Sequence, residues 1–481
     1  MVINTSPISS ALAKAKVCFV LSTVSLSVYS ATAFANEQDI DERLTALERR
    51  LALLEQIIVD KDAQIDDLKE QVQERVQEQK INRQQAQNNT TSFRAVRAFR
   101  QRSSHNYKTP ERSIRLSDTD TRLQIGGQIW VDAIYNHGEM TNRAGFQLSS
   151  IAYEADTVDD NTLLTAGQSK LYVKSITPTA YGEMKTRFEF DMFQADGNAS
   201  FNLLHLWGEL GSLGAGQTFT GFMDIDSFPN MLDYWGPNAM VFARQPQVRY
   251  TYSLSDAEKI AISIERADSD FALPNTLDPS SYQYDEVNEW PDITGFYYNS
   301  GDFGHVKSSF VLRKLGYQAE FSDGGNASDS TFAWGINLTG AYQASDQDSI
   351  KYQLAYGKGI SKYLNDPCCN FYAEQTGGAD AGVNSEGELQ AIEAFGGFVY
   401  LDHQWNESMS SAVGVAYVEV ENIASQFDNA FHKSLYSTAN FIWSPISMAK
   451  IGIELQWGEV ESKAGNNDDN TRLQTSFAFK Y

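Results

Sequence analysis

From residue 123 to residue 481 the chain keeps returning to one pattern, an apolar or aromatic side chain at every second position with polar ones between. In 123–135, Leu123, Ile125, Ile129, Val131, Ala133 and Tyr135 share one parity, while Gln124, Gln128 and Asp132 take the other. In 184–192, Phe188, Phe190 and Met192 oppose Lys185, Arg187, Glu189 and Asp191. The pattern recurs in 332–342, where Trp334, Ile336, Leu338 and Tyr342 share a face, and again in 350–356, 451–457 and 473–481. A period of two marks a strand whose faces meet different surroundings, one apolar and one wet. The same period suits a soluble sandwich with its apolar face turned to a core, so the class rests on further features.

The first of these is export. Residues 17–29 form an apolar run of about 13 residues, short for a bilayer span, preceded by Lys14 and Lys16 and followed by Ala33-Phe34-Ala35. Positive flank, apolar run and A-x-A site together predict a signal peptide over 1–35. Its loss would take the net charge from −24 to −26, the two lysines leaving without an acid. So acidic a chain has no basic footprint for nucleic acid. Cys18 would leave with the leader. Cys368 and Cys369 are adjacent, where a disulfide forms only with strain, and they read as an exposed loop pair.

The second feature is where the apolar faces end. Many finish on Tyr, Trp or Phe, as the interfacial girdles of a transmembrane barrel require. The last strand carries Leu473, Phe477, Phe479 and Tyr481 on one face, which suits a strand pairing with the first to leave no edge. Residues 114–481, at roughly 22–24 residues per strand plus connection, make about 16 antiparallel strands. The longer connections 136–162, 266–290 and 359–386 are rich in Asp, Asn and Gly and read as outer loops. Sixteen strands leave a lumen wide enough for water, so selectivity must come from something folded into it.

Ahead of the strands, residues 36–85 contain no Gly or Pro. Apolar residues recur at Ile40, Leu44, Leu47, Leu51, Leu54, Ile58, Ile65, Leu68 and Val72, with Lys61 in one slot of the seam. Spacings of four and three predict a coiled coil, two- or three-stranded, against the alternative of a single solvated helix. Residues 86–113 turn to Gln, Asn, Ser and Thr with recurrent arginines and read as a linker. Its positive charge could meet the anionic inner leaflet, and peptidoglycan is a further partner open to the coiled coil.

The segment meant to fill the lumen is 222–252. It opens as an irregular run with Pro229, Gly236 and Pro237, rich in Asp and aromatics, and closes as an alternating strand over 247–252. Alternation puts Arg249 with Gln247 and Thr251 on the lumenal face. Arg244 has the opposite parity and is expected in the lumen because Pro246, which lacks a donor for a central ladder, should delay regular pairing until after it.

The N-terminal heptads, Asp118-Thr-Asp-Thr-Arg-Leu-Gln-Ile-Gly-Gly127 with Asp132-Ala-Ile-Tyr135, Gly216-Gln-Thr218, Gly236-Pro-Asn238, Arg244-Gln-Pro-Gln-Val-Arg249-Tyr250, Asn440-Phe-Ile-Trp-Ser-Pro445 and Gly452-Ile-Glu-Leu-Gln-Trp-Gly458 together carry a resemblance to the DcaP-like trimeric outer-membrane porins. It spans nearly all of the chain beyond the leader. It implies a 16-stranded barrel in outer-membrane lipid, a homotrimer, and passage of small anions such as dicarboxylates, with the RQPQ[IV]R element falling on Arg244 and Arg249. Lys185 and Arg187 on the wet face of their strand, Arg313 if Phe310 and Leu312 face lipid, and Asp233 complete the expected constriction. Guanidinium groups suit carboxylates, and a ring of them would focus a field that admits anions. Each could instead merely pair with a lumenal acid such as Glu183, Glu189, Asp191 or Asp233.

Other motifs fail on their chemistry. Gly211-Ser-Leu-Gly-Ala-Gly216-Gln217-Thr218 has Gln217 where a phosphate-binding loop needs lysine, and it leads into a strand. His205 has no serine motif beside it and reads as a lumenal hydrogen-bonding histidine. No histidine has metal-ligand spacing. No catalytic residue, cofactor or metal is expected. The leading expectation is a passive anion-preferring porin, with its coiled coil in the periplasm. The alternative is a non-conducting envelope protein whose barrel anchors the coiled coil, and a barrel hydrolase lacks the residues it would need.

Overall fold

Alternation of the strands translates directly into a wall. The computed structural model describes residues 113–117, 119–151, 160–268, 270–275, 282–321, 325–367 and 378–481. The expected leader and coiled coil, all but the last residue of the expected linker, and Cys368 and Cys369 lie outside the described residues. In chain order the wall strands are β1 (Arg122–His137), β2 (Lys170–Thr179), β3 (Gly182–Asp191), β4 (Asn202–Leu210), β5 (Leu213–Phe219), β6 (Arg244–Ser253), β7 (Glu258–Glu265) and β8 (Asp292–Gly301). They continue as β9 (Gly304–Phe321), β10 (Asn326–Gln343), β11 (Asp348–Lys358), β12 (Glu393–Asn406), β13 (Met409–Val420), β14 (Phe431–Ile446), β15 (Ala449–Ser462) and β16 (Asn467–Lys480).

Each strand pairs antiparallel with the next, and β16 returns to β1 through the register Gln128↔Lys480 to His137↔Thr471. The sheet therefore closes, and the short segments Ile114–Arg115, Asn161–Thr165 and Tyr282–Glu286 only extend it at the rims. Closure leaves the wall no open edge, so its strands pair their peptide groups with one another, the condition for crossing hydrocarbon. The two ends differ. Tight turns such as those between Thr179 and Gly182, Leu210 and Leu213, and Gly301 and Gly304 lie at one end, and the long connections 138–169, 220–243, 266–291 and 359–392 at the other. This asymmetry is that of outer-membrane barrels.

The outward parity is apolar and uncovered. Ile262, Ile264, Ile336, Leu354, Leu455 and Phe479 are each about half exposed, far more apolar surface than a water-soluble monomer shows. Tyr250, Tyr252, Tyr342, Trp405, Trp443 and Phe479 stand near the tight-turn end of this face, and Tyr356, Phe395 and Phe332 near the other.

The lumen departs from the simple expectation of a wet interior. On β9 to β15 a part of the inward positions is itself apolar: Val311, Ala355, Ala394, Tyr400, Ala416, Val418 and Tyr436 are buried. They pack against three connections that fold inside, contributing Phe146 and Leu148, then Phe222, Met223, Met240 and Val241, then Ile360, Tyr363 and Leu364. An isolated bridge, Val241↔Leu364, joins two of these connections. This side of the lumen is thus filled by packed side chains, and open polar space remains against β1 to β6.

Candidate functional site

The connection 220–243 crosses the lumen because the inward wall residues supply its backbone with partners. Gly221 N donates to Glu265 Oε1 at 2.8 Å. Ser309 Oγ and Asn337 Nδ2 donate to Phe222 O at 2.9 and 3.0 Å, and Lys307 donates to Met223 O. Asp224 pairs with His305 at 2.8 Å. Farther along, Leu232 N and Asp233 N donate to the two oxygens of Glu454 at 2.8 and 3.0 Å. The return is held by Gln353, which accepts from Val241 N at 3.0 Å and donates to Ala239 O at 2.7 Å. The bend itself needs glycine: Gly236 has φ +79, and a Cβ there would lie 2.6 Å from the Phe228 ring. A buried backbone groups itself with acceptors and donors or it is not stable, and here the wall provides them.

What this loop leaves open are two cavities. The first, about 460 Å³, lies between the loop residues Ile225, Phe228, Pro229, Met231 and Phe242 and the wall residues Lys170, Arg187, Glu189, Asp191 and His205. Its Lys, Arg, Asp and Glu lining comprises Lys170, Arg187, Arg244, Lys450 and Lys480 against Glu189, Asp191 and Asp233. The second, about 280 Å³, is lined by Arg122, Lys174, Lys185, Arg187 and Arg249 against Glu209 alone, with Trp207 beside them. Arg187 lines both.

Within these cavities the expected residues take distinct parts. Arg187 donates to Glu189 Oε2 at 2.9 and 2.6 Å, and Lys170 lies 3.7 Å from the same carboxylate. Lys185 pairs with Glu183 at 3.1 Å and stays half exposed. Arg249 donates to Ser263 Oγ at 3.0 Å, Phe219 O at 2.6 Å and Gln247 Oε1 at 2.7 Å. Neutral acceptors leave its charge uncompensated by any short ion pair among the described residues. Arg244 is held differently. Its guanidinium lies 4.8 Å over both the Phe219 and Phe242 rings, and its Nε has no hydrogen-bond acceptor among the described residues.

The reason given by the sequence for the position of Arg244 needs correction. Regular pairing does not wait for Pro246: the ladder starts at Phe219↔Arg244 and runs through Gln217↔Pro246. Arg244 reaches the lumen because it stands where the inward loop becomes strand, wedged between two aromatics that lean inward with it.

Asp233 and Arg313 lie where the lumen is filled. Asp233 lines the larger cavity, yet its carboxyl is fully buried, accepting from Phe146 N and Gly236 N and facing Arg472 at 3.5 Å. Burial pushes its pKa up, with Arg472 opposing. Arg313 does face inward but lines neither cavity. It is enclosed, 3.0 Å from Asp292 and 2.8 Å from Asp380, and straps the connections 266–291 and 359–392 to β9. His205 shares a 2.9 Å hydrogen bond with Thr218 Oγ1. Sequence reasoning passed over Lys170, Lys174, Lys450 and Lys480 in the cavities, and Glu454 and Arg472 as anchors. The parity that singled out Lys185 would have found each of them.

A family model for the DcaP outer membrane protein matches residues 52–475. The outer membrane channel DcaP of Acinetobacter baumannii superposes with a TM-score of 0.65 at 18% identity, covering 76% of this chain and 99% of that one. OmpT of Vibrio cholerae gives 0.45 at 10% identity, over 76% of this chain and 99% of its own. An anion-selective porin from Comamonas acidovorans gives 0.46 at 11%, over 75% and 100%. No curated protein sequence matches. With a closed sixteen-strand wall, a loop folded through its lumen and a family match over most of its length, the chain belongs to the DcaP outer membrane protein family, channels of the bacterial outer membrane.

Proposed function

We propose that this channel passes small anions in preference to cations. The observation that carries the reading is the contrast between whole and part: a chain of net charge −24 lines its two lumenal cavities with five basic against three acidic groups and five against one. In a space walled by low-dielectric protein such an excess concentrates anions. Arg244, its Nε without an acceptor among the described residues, offers a planar donor edge, so carboxylates, dicarboxylates among them, fit better than halide alone, while Arg249 adds a charge held by neutral acceptors. Lys185 adds charge at the tight-turn mouth, whereas Asp233 and Arg313 hold the loops that shape the opening. The proposed role is passive diffusion.

The test is the reversal potential of the purified protein in a planar bilayer under a salt gradient. Replacing Arg244 and Arg249 together by Gln should lower anion over cation permeability, and an unchanged potential would remove these two residues from the selectivity filter. One observation favours a second reading. The filled half of the lumen is also what a barrel serving only to anchor the heptad region would show, and a bilayer record without conductance steps would establish it.

We further propose that three copies associate through the outer face of β2 to β5. There Ser175, Thr186, Gly208, Ala215 and Gln217 replace the Ile and Leu of other strands, and Ser175 and Thr186 satisfy one another at 2.6 Å. Small residues of this kind allow close protein contact within a bilayer. Ala215→Trp should convert the trimer to monomers on a native gel in mild detergent. The heptads of 36–85 fit a periplasmic bundle of the same stoichiometry.

A further inference from the structure

The larger cavity has two unlike sides. Toward β2 to β6 it is polar and charged, and the acids there are already engaged: Glu189 with Arg187, and Asp191 accepting from Tyr234 at 2.7 Å and Asn202 at 2.9 Å. Toward the inward loop it presents an apolar strip of Ile225, Phe228, Pro229, Met231 and Phe242, beside the loop's Asn230, Asp233 and Tyr234. Phe242 meets Phe228 at a centroid distance of 6.4 Å and Phe219 at 6.0 Å, both edge to face. Ile225 is 39% exposed although it points into a space enclosed by the wall. Arg244 joins the sides, its guanidinium carbon 4.8 Å from the centroids of the Phe219 and Phe242 rings and its Nε without an acceptor among the described residues.

Water against such a loop face gains nothing, and a fully hydrated anion passing there must shed part of its shell next to hydrocarbon. A solute with a carboxylate at one end and hydrocarbon at the other meets a matched partner on each side. We infer that this constriction selects carboxylates bearing a short alkyl or aryl body over equally charged, hydroxylated ones, the carboxylate on Arg244 and the apolar body along Ile225 and Phe228. The inference rests on the anion-channel reading and adds a second requirement to charge. Hydrocarbon contact replaces water over a few methylenes, which sets the preference at roughly tenfold for two methylenes buried.

Reversal potentials of the full chain in planar bilayers, with potassium hexanoate, gluconate and chloride as the salts, test this. Wild type should pass hexanoate on the order of tenfold better than gluconate, both being six-carbon monocarboxylates. Phe228→Asn should bring that ratio toward one. Ile225→Asn, at an exposed position where folding is not at stake, should act in the same direction. Arg244→Gln should lower hexanoate, gluconate and chloride together. A channel that prefers chloride to potassium yet keeps the same hexanoate to gluconate ratio in wild type and both loop variants overturns the inference and leaves the anion reading standing. A channel with no preference for chloride over potassium overturns both.

Discussion

Glu454 on β15 offers the sharpest test of how the inward loop is held. Its two oxygens accept four hydrogen bonds, from Leu232 N at 2.8 Å, Asp233 N at 3.0 Å, Asn440 Nδ2 at 2.8 Å and Gln456 Nε2 at 2.8 Å. The first two belong to the loop. Glu454→Leu leaves both loop amides buried without acceptors, at about 1–3 kcal/mol each, while Glu454→Gln keeps one oxygen and sets an amide donor against the other N–H, costing about half as much. A shift of about 2 kcal/mol raises a detached loop population roughly thirtyfold. Single-channel recording reads this as a new, larger conductance level whose occupancy follows wild type < Gln < Leu. If Glu454→Leu gave the same conductance and noise as wild type, the wall would not be what holds the loop across the lumen.

Gly452 lies beside it, and a Cβ there would stand 2.8 and 3.0 Å from the Leu232 methyls, so Gly452→Val should push the loop into the larger cavity and lower conductance, the reverse of Glu454→Leu. Arg472→Met strands the buried Asp233 carboxylate and should destabilise the barrel by about 3–5 kcal/mol, read as a lower unfolding temperature in detergent; adding Asp233→Asn should restore part of it. In the connection 266–291, burial and the neighbouring carboxylates of Asp380, Asp268 and Glu286 push Asp270 up to about 7, with Lys362 opposing. A raised carboxyl pKa means the native loop holds the extra proton between the ordinary value near 3.8 and about 7, so its stability is greatest at low pH and is lost as pH rises through that window. Amide exchange of Ala272 and Ala381, in paired segments that flank this site, should slow on going from pH 8 to pH 6 once corrected for intrinsic rates; Asp270→Asn should abolish that dependence, and an identical profile in the variant would contradict it.

Strands were legible where the two faces differ. Phe188 and Phe190 against Lys185 and Arg187 could be read at once, and the register Lys174↔Arg187, Ile176↔Lys185 puts the polar set inside. Around 393–420 the same reasoning had no purchase. There Ala394, Gly396, Phe398 and Tyr400 face the inner core and Phe395, Val399 and Leu401 face outward, so both parities are apolar and the period of two vanishes. The inward loop was visible only as a gap in the pattern. Its buried Met223, Met240 and Val241 follow no period because their partners come from separate elements, Lys307 of β9, Gln353 of β11 and the connection 359–392. Arg249 was legible by parity. For Arg244 parity gave the wrong face, because a residue at the junction of loop and strand takes its direction from its neighbours. The N-terminal heptads fall outside the described residues.

Leu232, at the far reach of the loop, packs with Trp130 of β1, Ala478 of β16 and Ile442 of β14, while its carbonyl oxygen accepts from Gln474 on β16 and Gln168 beside β2, each close to 3 Å. The first and last strands of the wall therefore meet over a side chain and a carbonyl that neither of them owns. Zipping the seam and seating the loop bury the same atoms, so the free energy of one cannot be gained without the other. For a nascent chain this couples the order of assembly: an inserted sheet whose loop is still outside has a seam lacking its inner contacts, and it stays prone to reopening until residues 220–243 have entered.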